Sequence, residues 1–295
     1  MISYQGLIIV IAGPTGSGKS SLAVDLAKEI NGYIINADSR QVYKELKIGT
    51  AQPVPDRVDG EVWYVDGIKH YLYGQVSIKD SYNISQYQKD VQRVLDINPT
   101  QTAILVGGTG LYIDSVVYSY DLQNVSSDNE YSREQLDSMN VKELQSLIPE
   151  NTLRELNSSD VKNPRRLIRA IEKGSSYHKK GAPLNFKYFV LDIDIETLKS
   201  QINRRLEQMF NLGLEQENRE LLEKGYTYEM PALNSIGYYE FKGYFTQEKS
   251  LEEVKKEILL HTIQYSKHQR TWFKRNLEIE YIKPSPASLK TQLPF

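Results

Sequence analysis

The chain has 295 residues, 40% apolar and 25% charged, which suits a globular protein with one sizeable core and a smaller satellite domain. A formal net charge of −2 excludes a global basic field as the handle for nucleic acid, so any such partner must be met by local patches. The absence of cysteine excludes disulfides, thiol catalysis and cysteine-based zinc sites and fits a reducing cytoplasm, and the four histidines, at 70, 178, 261 and 268, lack metal-ligand spacing.

Leu7–Ala12 is an apolar run too short for a membrane span or a signal segment, and no basic stretch precedes it. It predicts a buried first strand and a cytoplasmic protein without a membrane partner. A glycine-rich turn follows, then Ser20–Ile30, whose Leu22, Leu26 and Ile30 share one helical stripe. Tyr33–Ala37 reads as a second short strand ending at Asp38. Strand, turn, helix and strand open a parallel α/β sheet, in which ligands gather at the carboxyl ends of strands. Ala103–Val106 is a third buried strand running into Gly107-Gly108-Thr109-Gly110.

The tract 121–160 is rich in Ser, Asn, Asp and Glu, with one modest helical stretch near Val141–Ile148. It reads as an inserted, mainly helical subdomain; a disordered excursion fits the same composition. Asn163-Pro164 then starts a helix with Asn as N-cap and Pro in the first turn. Leu167, Ile168 and Ile171 lie on one side of it and Arg165, Arg166, Arg169 and Lys173 on the other. Phe189–Ile193 is a strand candidate. Leu198–Phe210 and Val254–Phe273 are amphipathic helices. The expected fold is α/β, a P-loop NTPase-like parallel sheet flanked by helices, with 1–115 and 161–295 as the core and 116–160 as the small inserted helical subdomain.

Gly13-Pro14-Thr15-Gly16-Ser17-Gly18-Lys19-Ser20 matches the P-loop pattern in full, between a predicted strand and a predicted helix. Its glycines let backbone N–H groups turn inward around phosphate oxygens, and the helix N-terminus adds partial positive charge. Lys19 supplies a full charge, and the Ser20 hydroxyl is placed to ligate Mg²⁺. A ligand-free glycine turn is the bland alternative. In P-loop NTPases an apolar strand usually ends in an acid that holds Mg²⁺; here Ala103–Val106 ends in Gly107-Gly108. Asp38 is the one carboxylate placed near the phosphate end of the sheet. It reads either as a turn residue or as a general base acting while Lys19 and Mg²⁺ take up charge on a departing diphosphate. The Gln41 amide can pair with an adenine edge, or stand as a solvated polar group.

Several separated segments resemble one family, the tRNA dimethylallyltransferases, which prenylate adenosine 37 of tRNA. They are Gly13–Ser20, Ala37–Tyr43, Lys47–Pro53, Val106–Tyr112, Asn163–Glu172, Ser235–Tyr238 and Gln264–Phe273, in the family's order. The resemblance implies that dimethylallyl diphosphate lies on Thr15–Ser20 with Mg²⁺ and that the tRNA anticodon stem-loop presents a flipped adenine. It further implies that Asp38 accepts the N6 proton and that Ser39, Arg40 and Gln41 hold the base, with Thr109 beside the channel. Arg205 resembles an arginine that the family places near the diphosphate. The insert is shorter than in many members, Gln201 and Ile263 stand where basic residues are common, and no eukaryotic-type zinc finger is present.

Local charge supplies the RNA grip in this reading. Lys162, Arg165, Arg166, Arg169, Lys173, Lys179 and Lys180 crowd a stretch whose single acid is Glu172, and Lys267, His268, Arg270, Lys274 and Arg275 form a second patch. Such contacts position RNA without reading it. A monomer is expected. Three other readings stay open: a prenyltransferase acting on free adenine nucleotides, which would not need the basic helix; a small-molecule kinase, disfavoured by the missing acid after Val106; and a non-catalytic RNA-binding module, disfavoured by the intact Lys19, Ser20 and Asp38.

Overall fold

The computed structural model describes residues 4–122, 131–156, 160–173 and 180–293, and Lys179 of the first basic stretch lies outside them. In chain order the strands are β1 (Ile8–Ala12), β2 (Tyr33–Asn36), β3 (Arg57–Asp59), β4 (Val62–Val65), β5 (Ile68–Tyr71), β6 (Ala103–Gly107), β7 (Phe186–Leu191) and β8 (Glu280–Ile282). The helices are α1 (Lys19–Ile30), α2 (Ile84–Ile97), α3 (Gly110–Val117), α4 (Arg133–Asp137), α5 (Val141–Ser146), α6 (Glu150–Glu155), α7 (Pro164–Lys173), α8 (Ile195–Asn211), α9 (Leu214–Glu223), α10 (Lys242–Phe245), α11 (Leu251–Phe273) and α12 (Pro286–Lys290).

Residues up to Val117 and from Leu184 onward form one unit around a sheet ordered β3-β4-β5-β2-β6-β1-β7-β8. From β5 to β8 every pairing is parallel, and β3 and β4 add an antiparallel edge. Strand β1 is Ile-Ile-Val-Ile-Ala, buried at every position, as a central parallel strand covered on both faces must be. Its period of two divides the sides. Ile9 and Ile11 join Ile104, Val106 and Phe189 against Leu22 and Leu26 of α1 and Leu289 of α12. On the other face Tyr188 donates to Asp114 of α3 at 3.3 Å and meets the Phe273 ring of α11 edge-on.

The chain passes from β1 through α1 to β2, skipping the position that β6 later fills, whereas the path after β6 leads to β7 on the opposite side of β1. The loops that follow β1 and β6 therefore diverge, which leaves a crevice beyond the carboxyl ends of neighbouring strands.

The described residues of 118–183 form a second unit. Its core is Leu136, Leu144, Ile148, Leu167, Ile168 and Ala170, drawn from α4, α5 and α7. The basic helix was expected in the main core; the structure assigns α7 to the insert instead, because its apolar stripe covers α4 and α5. Arg165 and Arg166 are exposed and Arg169 is half-buried. Arg166 pairs with Asp160 at 2.6 Å, and Arg133 takes up Glu172 at 2.9 Å.

Candidate active site at the carboxyl edge of the sheet

Beyond β1 the chain wraps into Gly13–Ser20. Gly18 caps α1 in a left-handed conformation (φ 86°) with no side-chain hydrogen bond, and no acid stands in the first turn. The free N–H groups and positive dipole end of α1 thus face outward as an anion site. Lys19 donates to the Pro14 carbonyl at 2.8 Å and lines a polar cavity of about 40 Å³ together with Thr15, Ser20, Asp38, Gln41, Tyr73, Val106, Gly107, Arg205 and Gln269.

Asp38 follows β2 and is held by its neighbours rather than by its own flexibility. The buried Asn36 side chain accepts from the Asp38 N–H at 2.9 Å and donates to the Asp38 carbonyl at 3.1 Å. Tyr87 donates to the Asn36 carbonyl at 2.9 Å, fixing that residue in turn. The carboxylate accepts from the Arg40 N–H at 2.9 Å, and its other oxygen has no such backbone donor. Thr109 ties the same turn to β6: its N–H donates to the Ala37 carbonyl at 3.1 Å, and its hydroxyl accepts from the Ser39 N–H at 3.0 Å.

A second cavity of about 330 Å³ shares Thr15, Asp38 and Arg205 with the first. One wall is apolar (Ile202, Leu206, Met209, Ile236 and Ile258), and the other carries Ser39, Arg40, Asn234, Ser235 and Tyr265. Six of the seven segments singled out in the sequence therefore meet around two joined cavities. The seventh, Asn163–Glu172 with Arg165, Arg166 and Arg169, belongs to the second unit.

Two of the residues expected to hold a base have other commitments. The Arg40 guanidinium donates to the carbonyls of Pro231 (3.1 Å) and Asn234 (3.3 Å), clamping a loop at the chamber wall. Gln41 donates from Nε2 to both Thr50 (2.9 Å) and Ala51 (2.8 Å), so only its carbonyl end is free for a ligand. Ile263, one of the two departures noted at positions where basic residues are common, packs against Leu198 and Ile202.

Electrostatics concentrate on four groups. Burial and the neighbouring Arg205 guanidinium push the Lys19 ammonium down to about 7, with Asp38 opposing them. Desolvation lowers Arg205 as well, again against Asp38; a guanidinium tolerates such a shift and stays charged. Burial and the Asp38 charge push the Tyr265 phenol up to about 12 and raise Tyr73 further, so both remain neutral hydroxyls.

Sequence reasoning missed the frame behind these groups. Arg205 donates to the Thr50 carbonyl at 3.2 Å, the same oxygen that Gln41 engages. Thr50 is fixed through Glu217 of α9, whose carboxylate accepts from the N–H groups of Lys47, Ile48 and Gly49 at 2.9–3.2 Å and from the Tyr238 hydroxyl at 2.6 Å. No pattern local to Glu217 announces this; Lys47–Pro53 and Ser235–Tyr238 were the visible halves. Glu217→Ala is expected to lower the unfolding free energy by about 3 kcal/mol, because it removes the acceptor of the Ile48 N–H and of the buried Tyr238 phenol. Denaturant unfolding followed by circular dichroism checks this, and a change below about 1 kcal/mol would remove the clamp from the account.

The turn after β6 explains the missing acid. A Cβ on Gly107 would collide with the Ala37 backbone, so no side chain fits where many phosphate-binding sheets place a second carboxylate. The described residues contain no group of three or more acids and histidines able to cage a metal. A P-loop, one carboxylate, two cations and an apolar chamber, gathered at the carboxyl edge of a mostly parallel sheet, place the chain in the class of P-loop α/β folds and mark its candidate active site.

Comparison with known proteins narrows the class. Residues 41–276 match the family model for IPP transferase. The chain is 35% identical to a tRNA dimethylallyltransferase of Gloeothece citriformis (97% of this chain, 94% of that one) and 34% identical to one of Staphylococcus aureus (99% and 97%). It also resembles the crystal structure of the full-length tRNA isopentenylpyrophosphate transferase from Bacillus halodurans, at 28% identity and a TM-score of 0.70, over 98% of this chain and 93% of that one. The chain belongs to the IPP transferase family.

Proposed function

We propose that this enzyme transfers a dimethylallyl group from dimethylallyl diphosphate to N6 of adenosine 37 in the tRNA anticodon loop, giving N6-(dimethylallyl)adenosine and diphosphate. The observation that carries this reading is the sharing of Asp38 and Arg205 between a small phosphate cavity and a larger chamber with one apolar wall. The relatives named above support the acceptor, since both sequences are tRNA dimethylallyltransferases.

The diphosphate would sit on the N–H groups at the start of α1, against Lys19 and Arg205. Ile202, Leu206, Met209 and Ile236 would receive the methyl groups. The N6 lone pair forms the new bond to the allylic carbon while the carbon–oxygen bond to diphosphate breaks. Its electron pair leaves with the diphosphate, and the N6 proton passes to Asp38. Lys19 and Arg205 are then worth most where negative charge develops, on the departing oxygens.

The donor set fits Mg²⁺, which takes one or two protein oxygens, substrate phosphate oxygens and water rather than a protein cage. Ser20, which lines the phosphate cavity, would hold it through its hydroxyl, and the ion would supply further neutralisation of the diphosphate. No helix among the described residues is long and apolar enough to cross a membrane. The exposed Arg165 and Arg166 and half-buried Arg169 are offered as phosphate contacts to the RNA.

The test is incubation with labelled dimethylallyl diphosphate and Mg²⁺, offering tRNA and AMP as separate acceptors. Label is expected in N6-(dimethylallyl)adenosine after digestion of the tRNA. Label entering AMP but not tRNA would overturn the acceptor, and label in neither would overturn the transfer.

A further inference from the structure

Gln269 lies on α11, 254 residues beyond Thr15 of the phosphate loop, and is 5% exposed. A primary amide buried so deeply is costly unless both ends are bonded. Both are. Its Oε1 accepts from the Thr15 N–H at 2.9 Å and its Nε2 donates to the Gly108 carbonyl at 2.9 Å. The two partners stand on the loops after β1 and β6, the neighbouring strands whose loops diverge to open the crevice. The fit is close: a Cβ on Gly108 would collide with Nε2. One residue further, Thr109 holds Ala37 and Ser39 on either side of Asp38. A single side chain thus links the loop that would take the leaving group to the turn that carries the carboxylate.

We infer that Gln269 is a positioning residue that sets the separation between the diphosphate cradle and Asp38. Nucleophile, carbon and leaving oxygen must lie in line, and a displacement of about 1 Å costs on the order of 10²-fold in rate. Only an amide serves both loops, with an acceptor for Thr15 at one end and a donor for Gly108 at the other. Glutamate would set oxygen against the Gly108 carbonyl oxygen and bring a negative charge beside the diphosphate. Methionine keeps length and volume and makes neither bond.

The inference rests on the transfer reaction proposed above, and the two can fail separately. If the wild-type enzyme labels no acceptor, the transfer itself is wrong. If the wild-type enzyme is active, single-turnover transfer to tRNA by Gln269→Met tests the residue. The expected result is a loss in kcat on the order of 30-fold, with KM for dimethylallyl diphosphate and for tRNA each within about threefold of wild type. A kcat within threefold of wild type, or a loss carried wholly by KM, would overturn the positioning role. Gly108→Ala provides an independent approach from the other loop, since the new methyl displaces the same Nε2. Its kcat defect should not multiply with that of Gln269→Met: the double variant should match Gln269→Met alone. Multiplicative losses would show that the two residues act separately and would also overturn the inference.

Discussion

Asp38→Asn is expected to lower kcat for transfer by roughly 10²–10⁴-fold while leaving the affinity for a non-reactive prenyl diphosphate, titrated at pH 6, unchanged or slightly tighter. The substitution separates proton acceptance from architecture. An asparagine oxygen can still accept from the Arg40 N–H, and Asn36 grips the backbone of residue 38 whatever its side chain. What disappears is the negative charge, and with it the site for the N6 proton. The exocyclic amine is a poor nucleophile because its lone pair is delocalised into the ring, so attack depends on removing that proton as the bond forms. Where Lys19 is already charged, near pH 6, losing an anion beside the phosphate cavity cannot weaken diphosphate binding on Coulomb grounds, and this gives the prediction its sign at that pH. Single-turnover rates together with titration of the analogue distinguish the outcomes. Retention of more than about a tenth of kcat, or a parallel collapse of analogue affinity, would take the base role away from Asp38.

Much of this arrangement could be read from the sequence, for identifiable reasons. The run Leu7–Ala12, the phosphate loop and the stripe Leu22, Leu26, Ile30 are local patterns, and they gave β1, the loop and α1 to within a residue or two. Strand β7 begins at Phe186, three residues before the expected start, because Lys187 interrupts the apolar run while its backbone still pairs with Ile9. The edge formed by β3 and β4 went unread because β3 is a short exposed Arg-Val-Asp segment and the apolar run of β4 is only four residues long and half-buried. Helix α2 had a legible start, a capping box between Asn83 and Gln86, that was overlooked. The placement of α7 was beyond local pattern: an amphipathic stripe shows that a helix is covered, not by what. Gln269 and Glu217 were hidden for a similar reason. Apart from the Tyr238 hydroxyl, their partners are backbone groups, which carry no side-chain signature, so Thr15, Gly108 and the N–H groups of 47–49 look the same in any sequence.

Lys19 leads to the second large effect, on binding rather than on chemistry. With burial and Arg205 holding its ammonium at about 7, the free enzyme has a mostly neutral Lys19 at pH 8 and a mostly charged one at pH 6. A diphosphate placed on the loop favours the charged form and raises that value again. Binding at pH 8 must therefore take up a proton, close to one per ligand, whereas binding at pH 6 takes up almost none. The ligand's own last phosphate ionisation, near pH 6, is complete by then and contributes little at pH 8. Affinity for a non-reactive prenyl diphosphate is expected to weaken about tenfold per pH unit above 7 and to flatten below it. Calorimetry in buffers of different ionisation enthalpy reads the proton count directly, and Lys19→Met should remove the uptake and cost on the order of 10²–10³-fold in kcat through lost stabilisation of the leaving group. Asp38→Asn sharpens the same experiment. Asp38 opposes the downward shift of Lys19, so its neutralisation should let that value fall further and move the onset of proton uptake to lower pH. Absence of uptake at pH 8 in the wild-type enzyme would mean that the ammonium is already charged before the diphosphate arrives. An uptake that persists in Lys19→Met would assign the proton to another group.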